Sequence, residues 1–144
     1  MFSKACEYGI RAVIYIAEQS GRGRKVSLKE VAKAIESPGA YTSKILQLLA
    51  RNKIIHSDKG PTGGFSMEMA ALEEVKLSTL VSIIDGDTIY KGCGLGLKQC
   101  NEQMPCPVHS QFISIREDLK NMLEITTIKS LLNDFEKGVT FLKR

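Results

Sequence analysis

The sequence predicts a mainly α-helical chain that carries one small β-hairpin and one long helix suited to pairing with a copy of itself. Three observations point there. Apolar residues recur at helical spacing through most of the chain. The stretch IIHSDKGPTGGFSM breaks that period and reads as two short strands around a glycine- and proline-rich turn. A later run, PVHSQFISIREDLKNML, spaces its apolar residues by 4, 3, 4 and 3.

Taken in order, Ser3 can cap a first helix to about Gln19, with Ala5, Ala12, Val13, Ile16 and Ala17 at helical spacing. SGRGRK is a basic loop. In SLKE, Ser27 and Glu30 have capping-box spacing and open a second helix through Ile35. In ESPG, Ser37 suits an N-cap and Pro38 a first helical residue, so a third helix starts almost at once. On a wheel, Tyr41, Ile45, Leu48 and Leu49 share an apolar arc, and Ala40, Ser43, Lys44, Gln47 and Arg51 share the opposite one.

Two short helices joined by a tight turn, the second with an apolar back and a small, polar or basic front, have the form of a helix-turn-helix. Any amphipathic surface helix would share the pattern, but the hairpin that follows sits where a winged helix-turn-helix carries its wing. Lys59, Gly60 and Pro61 fall at the hairpin tip, where Lys59 could reach a phosphate or a narrow minor groove. GPTGG lacks the spacing of a phosphate-binding loop. The candidate DNA contacts are therefore Ala40, Tyr41, Ser43, Lys44, Gln47 and Arg51, with Lys59, Gly60 and Pro61 from the wing.

A short helix from Ser78 to about Asp85 ends at Gly86. After the cysteine-bearing stretch, Val108, Phe112, Ile115, Leu119 and Met122 form a two-sided heptad seam, suited to a dimer helix or else to a monomer's core. TTIKSLLNDFEKGVTFLKR reads as a last helix with Ile128, Leu131, Leu132 and Phe135 on one face. The expected organisation is a DNA-binding region over 1–86, a cysteine-rich loop over 87–106 and dimerisation helices over 107–144, in one compact domain.

The 144 residues suffice for one domain, and pairing would add to its core. Charge is uneven. Residues 1–66 carry 11 Lys and Arg against 5 Asp and Glu, whereas residues 67–144 carry 9 against 11. A basic first half is what phosphate neutralisation needs. There is no long apolar run, so neither a signal peptide nor a membrane span is expected, and a cytoplasmic location is. No catalytic dyad or triad appears, since the only histidines are His56 and His109. That weighs against an enzyme.

Cys93, Cys100 and Cys106 fall in one polar, glycine-padded stretch, CGLGLKQCNEQMPCPVH. In a reducing compartment, clustered cysteines are metal ligands or redox groups more often than disulfides. Thiolates suit iron–sulfur clusters, and three cysteines with His109 would also make a tetrahedral zinc site, although paired knuckles are absent. Cysteines with no metal at all remain open. Between Asp87 and Pro105 little apolar surface is available, so such a loop would need something else to fix it.

EYGIRAVIYIA, YTSKILQLLARNKII leading into KGPTGGF, and C…C…CPVH before the long helix together resemble the Rrf2 family of winged-helix regulators, over nearly the whole chain. The likeness is to its iron–sulfur members of the IscR and NsrR types. The resemblance implies a homodimer on an operator in double-stranded DNA, with an iron–sulfur cluster on Cys93, Cys100 and Cys106. It implies His109 as fourth ligand of a 2Fe-2S cluster, as in IscR-type members. The alternative is Glu7, where NsrR-type members carry an aspartate reaching a 4Fe-4S cluster in the partner. Six residues separate Cys93 from Cys100 and five separate Cys100 from Cys106, so the first gap is one longer than the family's usual pattern. His109 is favoured, because imidazole is the more usual partner of a 2Fe-2S iron. Cys6 is expected to be a buried small hydrophobe. At Ser43 the IscR-type members have a glutamate that reads cytosine, so their operator sequence does not carry over. A cluster-free regulator acting through a protein partner, a zinc-stabilised one and an electron-transfer protein are the other readings.

Overall fold

The computed structural model describes residues 1–142. It is mainly helical, with one two-stranded antiparallel sheet. The chain runs α1 (Lys4–Gly21), α2 (Leu28–Ala34), α3 (Gly39–Arg51), β1 (His56–Asp58), β2 (Gly64–Ser66), α4 (Ala71–Glu74), α5 (Leu77–Asp85), α6 (Thr88–Lys91), α7 (His109–Ile125) and α8 (Ile128–Glu136).

Local chemistry sets the helix starts. The Ser3 hydroxyl accepts from the Cys6 N–H at 3.0 Å, and Asp85 at the end of α5 accepts from the Ser3 N–H at 3.1 Å. That joins the start of α1 to the end of α5. At Gly9 the two helices are so close that a Cβ would lie 2.3 Å from Ile84 Cδ1. Ser27 and Glu30 make the full capping box of α2.

The helix ends share a device. Gly23, Glu36 and Lys53 have left-handed backbones, φ 74°, 53° and 59°. In each case the next N–H reaches back to the carbonyl five residues earlier: Arg24 to Gln19 at 3.0 Å, Ser37 to Ala32 at 2.9 Å, and Ile54 to Leu49 at 3.0 Å. These are Schellman closures, two of them built without glycine. The second corrects one expectation. Ser37 is consumed in ending α2, and its hydroxyl pairs with that of Thr42, so Pro38 rather than Ser37 is the N-cap of α3.

The core gathers α1, α2, α3, α5 and α8: Val13, Ile16, Val31, Leu46, Leu49, Leu80 and Ile128 are fully buried. The wheel placed Tyr41 on the apolar arc of α3, but the buried face is Thr42, Ile45, Leu46 and Leu49, and Tyr41 is exposed. The helix is rotated so that Leu46 points inward. α8 is locked to the first half through Leu77 N–H to Thr126 carbonyl, 2.9 Å, and Ile128 N–H to Val75 carbonyl, 3.1 Å.

α7 differs from the rest. Over 17 residues it buries only His109 and Leu123. Of the heptad seam, Ile115 and Met122 face solvent, while Val108, Phe112 and Leu119 are half-buried. The open stripe is thus narrower than the spacing suggested, and Ile125 extends it. Two one-turn helices, α4 and α6, add order where loop was expected; Ile89 and Tyr90 of α6 pack against the core.

Candidate functional site

Two regions carry the candidate residues. The first is the outer face of α3 with the hairpin. Ala40, Tyr41, Lys44, Gln47 and Arg51 are exposed, and Ser43 is half-buried, accepting from Gln47 Nε2 at 3.3 Å. Among the described residues, Lys44, Arg51 and Lys59 form no ion pair. Three exposed cations without an ion-pair partner among the described residues suit a polyanion.

The hairpin is built for stiffness at its base. Its register pairs His56 with Ser66, Ser57 with Phe65 and Asp58 with Gly64. Phe65 also exchanges two backbone hydrogen bonds with Val26, 2.7 and 3.0 Å, so the segment before α2 acts as a third edge. Lys25 Nζ reaches Asp58 Oδ2 at 2.7 Å across the same junction. Two glycines are demanded here: a Cβ at Gly63 would lie 2.2 Å from the Asp58 carbonyl oxygen, and Gly64 has φ 136°. Lys59, Gly60 and Pro61 remain exposed at the tip.

The second region is the cysteine loop between α6 and α7. All four cysteines are free thiols; Cys6 is fully buried, and burial, then the Asp85 carboxylate, pushes its pKa up to about 12. The three loop cysteines are partly exposed. The N–H groups of Leu95 and then Leu97 hold the Cys93 thiol below its ordinary value, with smaller help from Cys106 and Arg116 and against some desolvation. His109 opens α7, its N–H bonded to the Cys106 carbonyl at 3.0 Å. Its Nδ1 lies 3.4 Å from Cys100 Sγ, and its Nε2 is buried without a hydrogen-bond partner among the described residues. A buried polar nitrogen left unpaired costs free energy unless something binds it.

That nitrogen belongs to a side chain lining a cavity of about 490 Å³, together with Tyr90, Cys100, Arg116 and Lys120. Arg116 is the residue that sequence reasoning missed. Its guanidinium donates to the Gly92 carbonyl at 2.6 Å and to Cys100 Sγ at 3.3 Å, and its Nε to the Phe112 carbonyl at 3.3 Å. One side chain of α7 thus holds both the entry and the middle of the loop, 24 and 16 residues away in sequence. Phe112 supports the same loop, since a Cβ at Gly94 would lie 2.5 Å from its ring.

Cys100 stands beside His109, its Sγ 3.4 Å from Nδ1. Among the described residues no three Cys, His, Asp or Glu side chains close on a single point. Glu7 sits on the first turn of α1, ion-paired with Lys4 at 2.8 Å, and is not among the cavity's lining residues. By donor chemistry, three thiols outside any disulfide and an unpaired imidazole nitrogen fit an iron–sulfur group.

The family model of Rrf2, described as iron-dependent transcriptional regulator, matches residues 2–134. A protein of Aquifex aeolicus provisionally named an HTH-type transcriptional regulator is 29% identical over 139 residues, covering 95% of this chain and 94% of its own length. Among solved structures, CymR, the global cysteine regulator of B. subtilis, superposes with a TM-score of 0.73 at 19% identity, over 92% of this chain and 96% of its own. T. potens IscR does so with a TM-score of 0.73 at 18% identity, over 97% and 91%. The fold is therefore that of winged-helix regulators, and among the described residues no helix is long and apolar enough to cross a membrane. The chain belongs to the Rrf2 family of transcriptional regulators.

Proposed function

We propose that this regulator binds operator DNA as a homodimer, through α3 and the wing of each copy, and that an iron–sulfur cluster on its cysteine loop controls operator affinity. Residues 1–86 serve as the reading head and 87–106 as the sensing loop, while pairing falls to the 107–144 segment, chiefly α7. The single observation that carries the sensing role is the buried, unpartnered Nε2 of His109, whose other ring nitrogen, Nδ1, lies 3.4 Å from Cys100 Sγ. Cys93, Cys100, Cys106 and His109 would hold the group, which favours the 2Fe-2S type; Glu7 from a partner would instead complete a 4Fe-4S site. Such a group supplies sensitivity to iron supply, oxidation or nitric oxide.

The chain's own residues provide the coupling. His109 and Arg116 tie the loop to α7, and the same helix presents the open stripe of Ile115, Met122 and Ile125 to a second copy. A change in how the loop sits on α7 therefore changes how two copies pair, and with it the spacing of their α3 helices. A coupling of about 1–3 kcal/mol would alter operator affinity roughly 5- to 150-fold.

The test is to isolate the protein without oxygen and measure iron, acid-labile sulfide and zinc per chain, with the visible spectrum. Iron and sulfide in near-equal amounts are expected, with a 2Fe-2S spectrum. A folded, metal-free dimer that takes up no cluster on reconstitution would favour a cluster-free regulator, a reading supported by the lack of any three such donors closing on one point among the described residues. Zinc alone would make the loop a structural clip.

A further inference from the structure

Tyr8 of α1 and Tyr41 of α3 meet edge to face, ring centroids 5.7 Å apart and planes at 80°. The Arg11 guanidinium carbon lies 4.9 Å from the centroid of the Tyr8 ring. Both geometries are attractive: ring edge to ring face in the first, cation to π-face in the second. Together they form a three-member stack from α1 to the first turn of the helix proposed to read DNA.

That turn has little else to hold it. Pro38 gives α3 no side-chain cap, and Gly39, its first residue, has open space around it and poor helix propensity. Ala40 is exposed. From within, Thr42 anchors the turn through the Pro38 carbonyl at 2.8 Å and the Ser37 hydroxyl. From the side, the contact is Tyr41 on Tyr8. Tyr41 keeps 41% of its surface open, so its ring is braced by α1 while still free to meet a ligand.

We infer that Tyr8, with Arg11 stacked on it, is a positioning residue for operator recognition: it fixes Tyr41 and the first turn of α3 without touching DNA itself. This holds only if α3 is the DNA-reading helix, and the controls below separate the two statements. A residue that acts through another leaves a specific mark. Its effect disappears when the residue it positions is removed.

The probe is a duplex selected by the wild-type protein from a random-sequence pool. Operator affinity and its salt dependence are measured for Tyr8→Leu, Tyr8→Phe, Tyr41→Leu and the Tyr8→Leu/Tyr41→Leu double variant, with Lys44→Ala as control. Tyr8→Leu is expected to weaken binding about three- to tenfold, the size of one aromatic pair, with a melting temperature lowered by only a few degrees, the chain folded at the assay temperature and the salt slope unchanged. Tyr8→Phe should restore it, and Tyr8→Leu should add little once Tyr41 is leucine. Should Tyr8→Leu fail to fold, Arg11→Gln removes only the cation and should weaken binding by about twofold at constant salt slope. Full-strength binding by Tyr8→Leu, or an equal loss in both Tyr41 backgrounds, would overturn the inference. So would a salt slope reduced by about 0.9 in Arg11→Gln, which would mark a direct phosphate contact by that cation. If wild type selects no duplex, or Lys44→Ala binds as well as wild type, the reading of α3 itself fails.

Discussion

The first 86 residues and the segment from the cysteine loop through α7 obey different rules. In the first segment, helix ends are closed, the wing is tied at its base to Val26 and Lys25, and large apolar side chains from α1, α2, α3 and α5 meet in one buried core. In the second, Leu95, Leu97, Met104, Ile115, Met122 and Ile125 all lie open, and a 17-residue helix buries two residues. The loop is held by Arg116, Phe112 and His109 of α7 rather than by a core of its own. The first 86 residues close their core with α8 of the same chain, whereas the cysteine loop and α7 leave apolar side chains open and the His109 Nε2 unpaired among the described residues. Under the proposed function that asymmetry is what a switch requires, because a rigid reading head can be moved only by a part whose own arrangement is not already fixed.

The comparison breaks most visibly at the pairing stripe. Replacing Ile115 and Met122 together by Glu should leave the head folded while weakening dimerisation more than a hundredfold, since burying unpaired charges costs roughly 3 kcal/mol or more. Analytical ultracentrifugation and circular dichroism read the two halves of that statement separately. Thiol chemistry sharpens the contrast. In cluster-free native protein at pH 8, Cys93, Cys100 and Cys106 should alkylate at least about a hundredfold faster than Cys6. The sign follows from Cys6's pKa, raised to about 12, which leaves its thiol protonated until far above pH 8, and from its burial. Mass spectrometry of the peptides gives the order directly.

Within the head, Gly63→Ala should cost about 1–3 kcal/mol in denaturant melts, because the new Cβ meets rigid backbone at Asp58 rather than a side chain that can swing away. The smallest effect runs the other way. Glu36 holds a left-handed backbone that glycine adopts freely, so Glu36→Gly should raise stability by up to about 1 kcal/mol.

Much of the head could be read from sequence because its signals are local. The Ser27–Glu30 capping box spans three residues, and the wing announces itself in consecutive glycines. Where local signals mislead, a competing local bond is the cause. Ser37 resembles a cap but closes α2, and without glycine at Glu36 that closure had no flag. Tyr41 resembles core, but tertiary packing turned Leu46 inward in its place. One-turn helices such as α4 and α6 are shorter than any helical period can reveal. In the loop the cysteines and His109 were legible as types, but the approach of Cys100 to His109, and the reach of Arg116 across 24 residues, depend on tertiary contacts with no spacing rule.

The most direct test of cluster control is operator affinity measured on one anaerobic preparation before and after the cluster is removed, alongside Cys106→Ala. We expect the wild-type affinity to change between about 5- and 150-fold on removal, and Cys106→Ala to hold no cluster and show no change. Equal wild-type affinity in the two states would contradict cluster control and leave a DNA-binding regulator whose loop serves another purpose.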